Sequence, residues 1–198
     1  ANISESLKNV SFDPGRKYSL VWQSGFTGIG YNPELTGREL TSVNDIFDEE
    51  FAGHVTMLTE MRDTLGLVML GMGVDPAEAT LADAQSAVDK IQKYVDNGHI
   101  RALTGEESGD DLARDDVWAA IAWSGDMIQL QADDENLKLL LPEEGFMLWS
   151  DNMMIPKTPE NLDGAHACLD WCYDPAHSAQ IVAGAPYISP VGGADVGV

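Results

Sequence analysis

The stretch HVTMLTEMRDTLGLVMLGMG, His54 to Gly73, changes period part-way along. HVTML reads as a short buried strand, rich in β-branched and apolar side chains. Beyond it Met61, Leu65, Val68, Met69 and Met72 fall at helical spacing, with Thr59 as the expected N-cap and Gly73 and Asp75-Pro76 as the stop. A strand that runs directly into a helix is the building unit of α/β folds.

The same alternation continues on both sides. Upstream, YSLVWQ (Tyr18 to Gln23) reads as a strand, and GFTGIGYN follows it with glycines at 25, 28 and 30. Their spacing matches neither nucleotide-binding fingerprint, so close backbone packing or a second strand is the expectation there. A short helix is expected around Ser42 to Phe47. Downstream, TLADAQSAVDKIQKYVDNG is the clearest helix, with Thr80 and Asp83 as a capping pair, Leu81, Ala84, Val88 and Ile91 inward, and Gly98 as its stop. HIRALT, an acidic helix from Gly109 to Asp116, VWAAIAWS, GDMIQLQADD, LKLLLPE and GFMLWSDNMMIP carry the alternation on. Two helices, Leu162 to Tyr173 and Pro175 to Ala183, complete it. The expected fold class is α/β: one domain with a central, mostly parallel mixed sheet flanked by helices, from residue 12 to 194, preceded by a loose segment 1–11 and followed by a tail 195–198.

The chain has 198 residues, 33 of them acidic against 11 Lys plus Arg, for a formal charge of -22. Such a field repels nucleic acid and favours cationic partners, solubility or life in salt. The 44% hydrophobic content supports a real core, and no apolar run is long enough to span a membrane. The opening ANISESLKNV lacks an initiator methionine and a leader pattern, and is read as a processed or excised piece. Cys168 and Cys172 are read as two free, buried thiols on one helix face rather than a disulfide or zinc site, so no metal or cofactor is expected.

Ligands of open α/β sheets bind at the carboxyl ends of strands. Three junctions carry unusual residues: Glu60 and Asp63 after HVTML, Trp123 after VWAAIA, and the pair Trp149 and Asp151 within GFMLWSDNMMIP. Alternation along a strand puts Trp149 and Asp151 on one face. An aspartate inside a strand needs a reason, because strands disfavour it and an unpaired buried carboxylate is costly. Carboxylates for ammonium groups and indoles for methylene spacers suit a flexible organic cation. No Ser/His/Asp order, HExxH motif or nucleophile elbow accompanies them, so an acidic hydrolase is the weaker alternative.

With these residues in view, the chain resembles the second lobe of the bacterial spermidine/putrescine-binding proteins, solute receptors of polyamine ABC transporters. The resemblance rests on FDPGRKYSLVWQSGFTGIGYN, MLTEMRDTLGLVMLGMGVDP, AIAWSGD, LPEEGFMLWSDNMMIPKTPENLDGA and APYISPVGGA, in the family order from Phe12 to Ala194. It implies one lobe of a type II periplasmic-binding-protein fold, with the first lobe absent. It also implies a polyamine site at Glu60, Asp63, Trp123, Trp149, Asp151 and Tyr187, where Glu60 replaces a shorter aspartate of the family. A non-enzymatic, monomeric, extracytoplasmic receptor piece that serves an ABC permease follows, periplasmic or anchored on the outer face of the membrane. A receptor lobe for another cationic solute is the nearest alternative.

Overall fold

The computed structural model describes residues 2–105 and 107–194, so the expected tail 195–198 lies outside the described residues. Its elements in chain order are β1 (Leu20–Tyr31), α1 (Pro33–Thr36), β2 (Val55–Leu58), α2 (Met61–Gly71), α3 (Leu81–Asp96), β3 (Ile100–Thr104), α4 (Glu107–Ala113), β4 (Ala119–Trp123), α5 (Ser124–Asp133), β5 (Lys138–Leu140), β6 (Met147–Met153), α6 (Leu162–Cys172) and α7 (Pro175–Gly184). The chain divides into two compact units, Phe26–Met147 and Ala1–Gly25 with Leu148–Val198.

The unit Phe26–Met147 is built on strands in the order β3-β2-β4-β1-β5. β2 runs parallel to β3 and to β4, whereas β1 is antiparallel to β4 and β5, which makes the sheet mixed. β4 shows why its sequence AAIA has no polar alternation. Ala119 and Ile121 join a core with Val55, Met57, Leu67, Val68, Ala87 and Ile91. Ala120 and Ala122 join another with Leu112, Met127 and Leu137. A central strand covered on both faces has no position for a solvated side chain.

The two long helices of this unit begin differently. Thr80 and Asp83 form the expected capping box of α3. At α2 the N-cap is Glu60, not Thr59, because the Thr59 amide is drawn into the sheet by a 2.7 Å bond to the Thr104 carbonyl. The expected apolar stripe is kept in part: Val68 and Met69 are buried and Leu65 packs against the core, whereas Met61 and Met72 are exposed and Asp63, Thr64 and Leu67 are buried. In α3 the buried line runs through Ala87 and Ile91, with Ala84 packed against the same core, whereas Leu81 and Val88, seven residues apart on one face, are turned to solvent instead of inward. His99, a core histidine, bonds to the Ile46 carbonyl at 2.8 Å.

In the other unit β6 pairs with β1, and Ser24 and Ser150 hydroxyls meet at 2.6 Å. Cys172, Tyr173 and Val191 form a small core with Leu20, Trp22, Met153 and Ile181, and the Tyr173 hydroxyl donates to the Val21 carbonyl at 2.6 Å. The first residues are tied in by a bridge between Ile3 and Val191. Asp13, a buried residue of the turn before β1, accepts from the Ser19 hydroxyl and from the amides of Lys17, Tyr18 and Ser19. The Ser19 bond leads the causes that hold its carboxyl below the usual range. Cys168 and Cys172 are free, as read from the sequence, but only Cys172 is buried. Cys168, on the same helix α6, is turned to solvent.

β1 runs unbroken from Leu20 to Tyr31, beyond the strand end expected at Gln23. Its glycines allow this by leaving room for neighbours. A Cβ on Gly28 would lie 2.3 Å from the Leu140 carbonyl oxygen, and one on Gly30 would lie 2.5 Å from the Met127 sulfur. The close-packing account of GFTGIGYN therefore holds.

Candidate functional site

The six residues singled out in the sequence fall into two sets. Glu60, Asp63 and Trp123 belong to the unit Phe26–Met147, and Trp149, Asp151 and Tyr187 to the other.

The first set meets where β2, β4 and β1 deliver their residues to the start of α2. Asp63, in the first turn of α2, is buried with 6% of its surface accessible. One of its oxygens, Oδ2, accepts the indole N–H of Trp123 at 2.8 Å and the hydroxyl of Thr27 at 2.8 Å. Thr27 and Trp123 are register partners on the antiparallel strands β1 and β4, so adjacent strands present both donors to the same atom. Burial pushes the Asp63 carboxyl up, reinforced by the nearby negative charge of Glu60; the two hydrogen bonds and Arg62 act against that rise. Glu60 serves the helix itself. Its Oε2 accepts the Asp63 amide at 2.8 Å and so caps α2, while Oε1 stands 3.9 Å from the exposed Arg62 guanidinium. Trp123 ends β4 and precedes α5, whose first residue, Ser124, accepts the Phe26 amide at 3.2 Å.

This set is a desolvated carboxylate beside an indole. The side-chain hydrogen bonds that Asp63 accepts come from neutral groups, so they orient its charge without cancelling it. Sequence reasoning missed Thr27, which is fully buried. The available signal was a hydroxyl set among the glycines of GFTGIGY.

In the second set, Trp149 and Tyr187 pack as a tilted aromatic pair, ring centroids 5.3 Å apart at 59°. Both rest against Gly25, where a Cβ would come within 2.5 Å of the indole and 2.9 Å of the phenol ring. Asp151 follows on β6 and is exposed. Solvation removes the cost that made its position puzzling. Among the described residues no group of three or more His, Cys, Asp or Glu is arranged to hold a metal ion. No described helix is long and apolar enough to cross a membrane.

Comparison with known proteins gives this arrangement a context. The spermidine/putrescine-binding periplasmic protein 1 of Haemophilus influenzae is 28% identical over 164 residues, covering 82% of this chain and 45% of its own length. The putrescine/cadaverine-binding protein of Pseudomonas aeruginosa is 26% identical over 199 residues, covering 91% of this chain and 54% of its own. The chain thus spans about half the length of the curated relatives it matches. Among solved structures, the spermidine/putrescine ABC transporter substrate-binding protein PotD of Streptococcus pneumoniae superimposes with a TM-score of 0.78 at 29% identity, covering 98% of this chain and 59% of that one. The family model for bacterial extracellular solute-binding proteins matches residues 1–198. The chain belongs to the bacterial extracellular solute-binding protein family.

Proposed function

We propose that this chain is the polyamine-binding part of an extracytoplasmic solute receptor that delivers putrescine, spermidine or a related amine to an ABC permease, without chemistry of its own. The observation that carries this reading is Asp63, a buried carboxylate oriented by Thr27 and Trp123 and left with its charge. A cationic ligand is the partner that offsets such a desolvation cost. In the unit Phe26–Met147 an ammonium group is taken by Asp63, with Glu60 adding negative potential while it caps α2, and the face of Trp123 takes methylene groups. In the other unit Asp151 offers a second carboxylate, and Trp149 and Tyr187 offer aromatic faces. Two of the relatives named above are described by the amines they bind, which supports the same ligand class here.

The match to about half of each relative supports a further part of the reading: the chain, residues 12 to 194 in particular, corresponds to one lobe of a two-lobed receptor. We take this lobe on its own to be a monomer. Closure of two lobes over a ligand removes water and strengthens each charge contact.

Isothermal titration with putrescine, spermidine and the neutral analogue 1,4-butanediol, at fixed ionic strength, tests the proposal. Saturable binding of the amines and none of the diol is the expected outcome. Equal responses to diol and diamine would remove the carboxylates from the account.

A further inference from the structure

Asp63 does more than carry a charge in a buried place, because its two oxygens are not equivalent. Oδ2 accepts two hydrogen bonds, from Thr27 Oγ1 and Trp123 Nε1, both at 2.8 Å. An oxygen with two donors in place has its in-plane acceptor directions filled. Oδ1 accepts no hydrogen bond from the described residues. The donors stand on neighbouring strands in direct register, Thr27 opposite Trp123, so the sheet itself sets their separation. Asp63 is held from a third direction by its own amide, which donates to Glu60 Oε2 at 2.8 Å.

We propose that Thr27 is a positioning residue: with Trp123 it clamps Oδ2 of Asp63, so that Oδ1 is the single atom offered to a ligand's ammonium group. The inference rests on the amine-binding reading above for its ligand and on the sheet register for its geometry.

Two consequences follow from the clamp. The Trp123 ring is locked by its own N–H, so its face is preset as an apolar and cation-π surface before ligand arrives. A proton and an ammonium group also compete for the same atom, because Oδ2 is occupied. The charged groups acting on Asp63 are Glu60, which favours its protonation, and Arg62, which opposes it; Thr27 and Trp123, from the adjoining strands, carry no charge. Loss of the Thr27 hydroxyl removes one of the bonds that favour the ionised form, so the carboxyl becomes easier to protonate and freer to rotate.

The test compares the wild-type chain with Thr27→Val, which removes the hydroxyl at nearly constant volume, and Thr27→Ser, which keeps it. Two readouts are taken: the titration of the Asp63 carboxyl carbon by NMR without ligand, and putrescine affinity by calorimetry from pH 5 to 8. Thr27→Val is expected to raise the Asp63 titration midpoint and to weaken putrescine roughly tenfold, the loss typical of one hydrogen bond to a charged group. The weakening grows as pH falls, and Thr27→Ser restores both readouts. An unchanged Asp63 midpoint in a cooperatively folded Thr27→Val protein overturns the clamp, whatever the affinity. A raised midpoint in a protein whose wild type binds no putrescine supports the clamp and overturns the amine reading instead.

Discussion

On the proposed amine-binding reading, Asp63 is where stability and recognition pull apart. Its carboxyl is raised above the ordinary range chiefly by burial, so the fold favours the protonated form. The stability this contributes is fully present below the ordinary carboxylate pKa and is lost as pH rises through the elevated folded value. Once ionised, the group therefore burdens the ligand-free protein. Asp63→Asn keeps an acceptor for Thr27 and Trp123 and removes the charge. It is expected to raise the melting temperature at pH 7 by a few degrees, on the order of 1 kcal/mol. The gain shrinks to nothing as pH falls to about 4, and putrescine binding weakens at least tenfold at pH 7. Thermal melts across pH and a titration at pH 7 check both halves. Asp13 has the opposite sign. Bonds led by that from the Ser19 hydroxyl lower its pKa, so its contribution is present above the ordinary carboxylate value and is lost as pH falls through the lowered one. Asp13→Asn is accordingly expected to lower the melting temperature at pH 7 and to change it little near pH 2.

At the scale of elements, β1 is the most demanding. Gly28→Ala sets a methyl group against the backbone oxygen of Leu140 on the adjacent strand, which cannot rotate away. Gly25→Ala meets the rings of Trp149 and Tyr187, which can shift at a cost. Overpacking of this kind costs about 1–3 kcal/mol. Gly28→Ala is expected at the upper end and Gly25→Ala lower, but only Gly25→Ala should change the Trp149 environment, seen as a tryptophan fluorescence shift by comparison with Trp149→Phe. Denaturant melts of the two variants give the order. Most element positions are legible in the sequence, since a four-residue buried strand such as β2 and a capping box such as Thr80 with Asp83 are local signals. What local pattern does not supply is pairing. The continuity of β1 depends on Leu140 and Met127, far along the chain from its glycines, and the cap of α2 falls on Glu60 because Thr59 bonds to Thr104 across the sheet. The site is legible in the same uneven way. Residue chemistry and family resemblance single out Asp63 and Trp123, but Thr27 emerges as their partner only through the register of β1 with β4. Alternation along a strand puts Trp149 and Asp151 on one face but does not say which face is covered, and Asp151 is exposed.

At the scale of the whole molecule, acids outnumber bases three to one, 33 against 11. Several described cations already serve more than one carboxylate: Arg38 engages Asp45, Asp48 and Glu50, and Arg114 engages Asp111 and Asp116. Most of the negative charge is thus left to solvent and counterions, and self-repulsion opposes the compact state. Raising monovalent salt from about 0.1 M to 1 M shortens the screening length from about 10 to 3 Å. The melting temperature is expected to rise over that range, as differential scanning calorimetry would show. The same field draws any polycation to the surface, so affinity alone does not distinguish recognition from attraction.

The measurement that separates them is residue-resolved. Backbone and indole NMR shifts are followed while putrescine, spermidine and sodium chloride are titrated separately at matched ionic strength, in the wild type and in Asp63→Asn. The account predicts saturable shifts at Asp63, the Trp123 and Trp149 indoles and Asp151 with the amines, absent with sodium chloride and lost at the Asp63 and Trp123 positions in Asp63→Asn. Diffuse, non-saturating shifts over the acidic surface, equal for salt and amine and unchanged by Asp63→Asn, would contradict it.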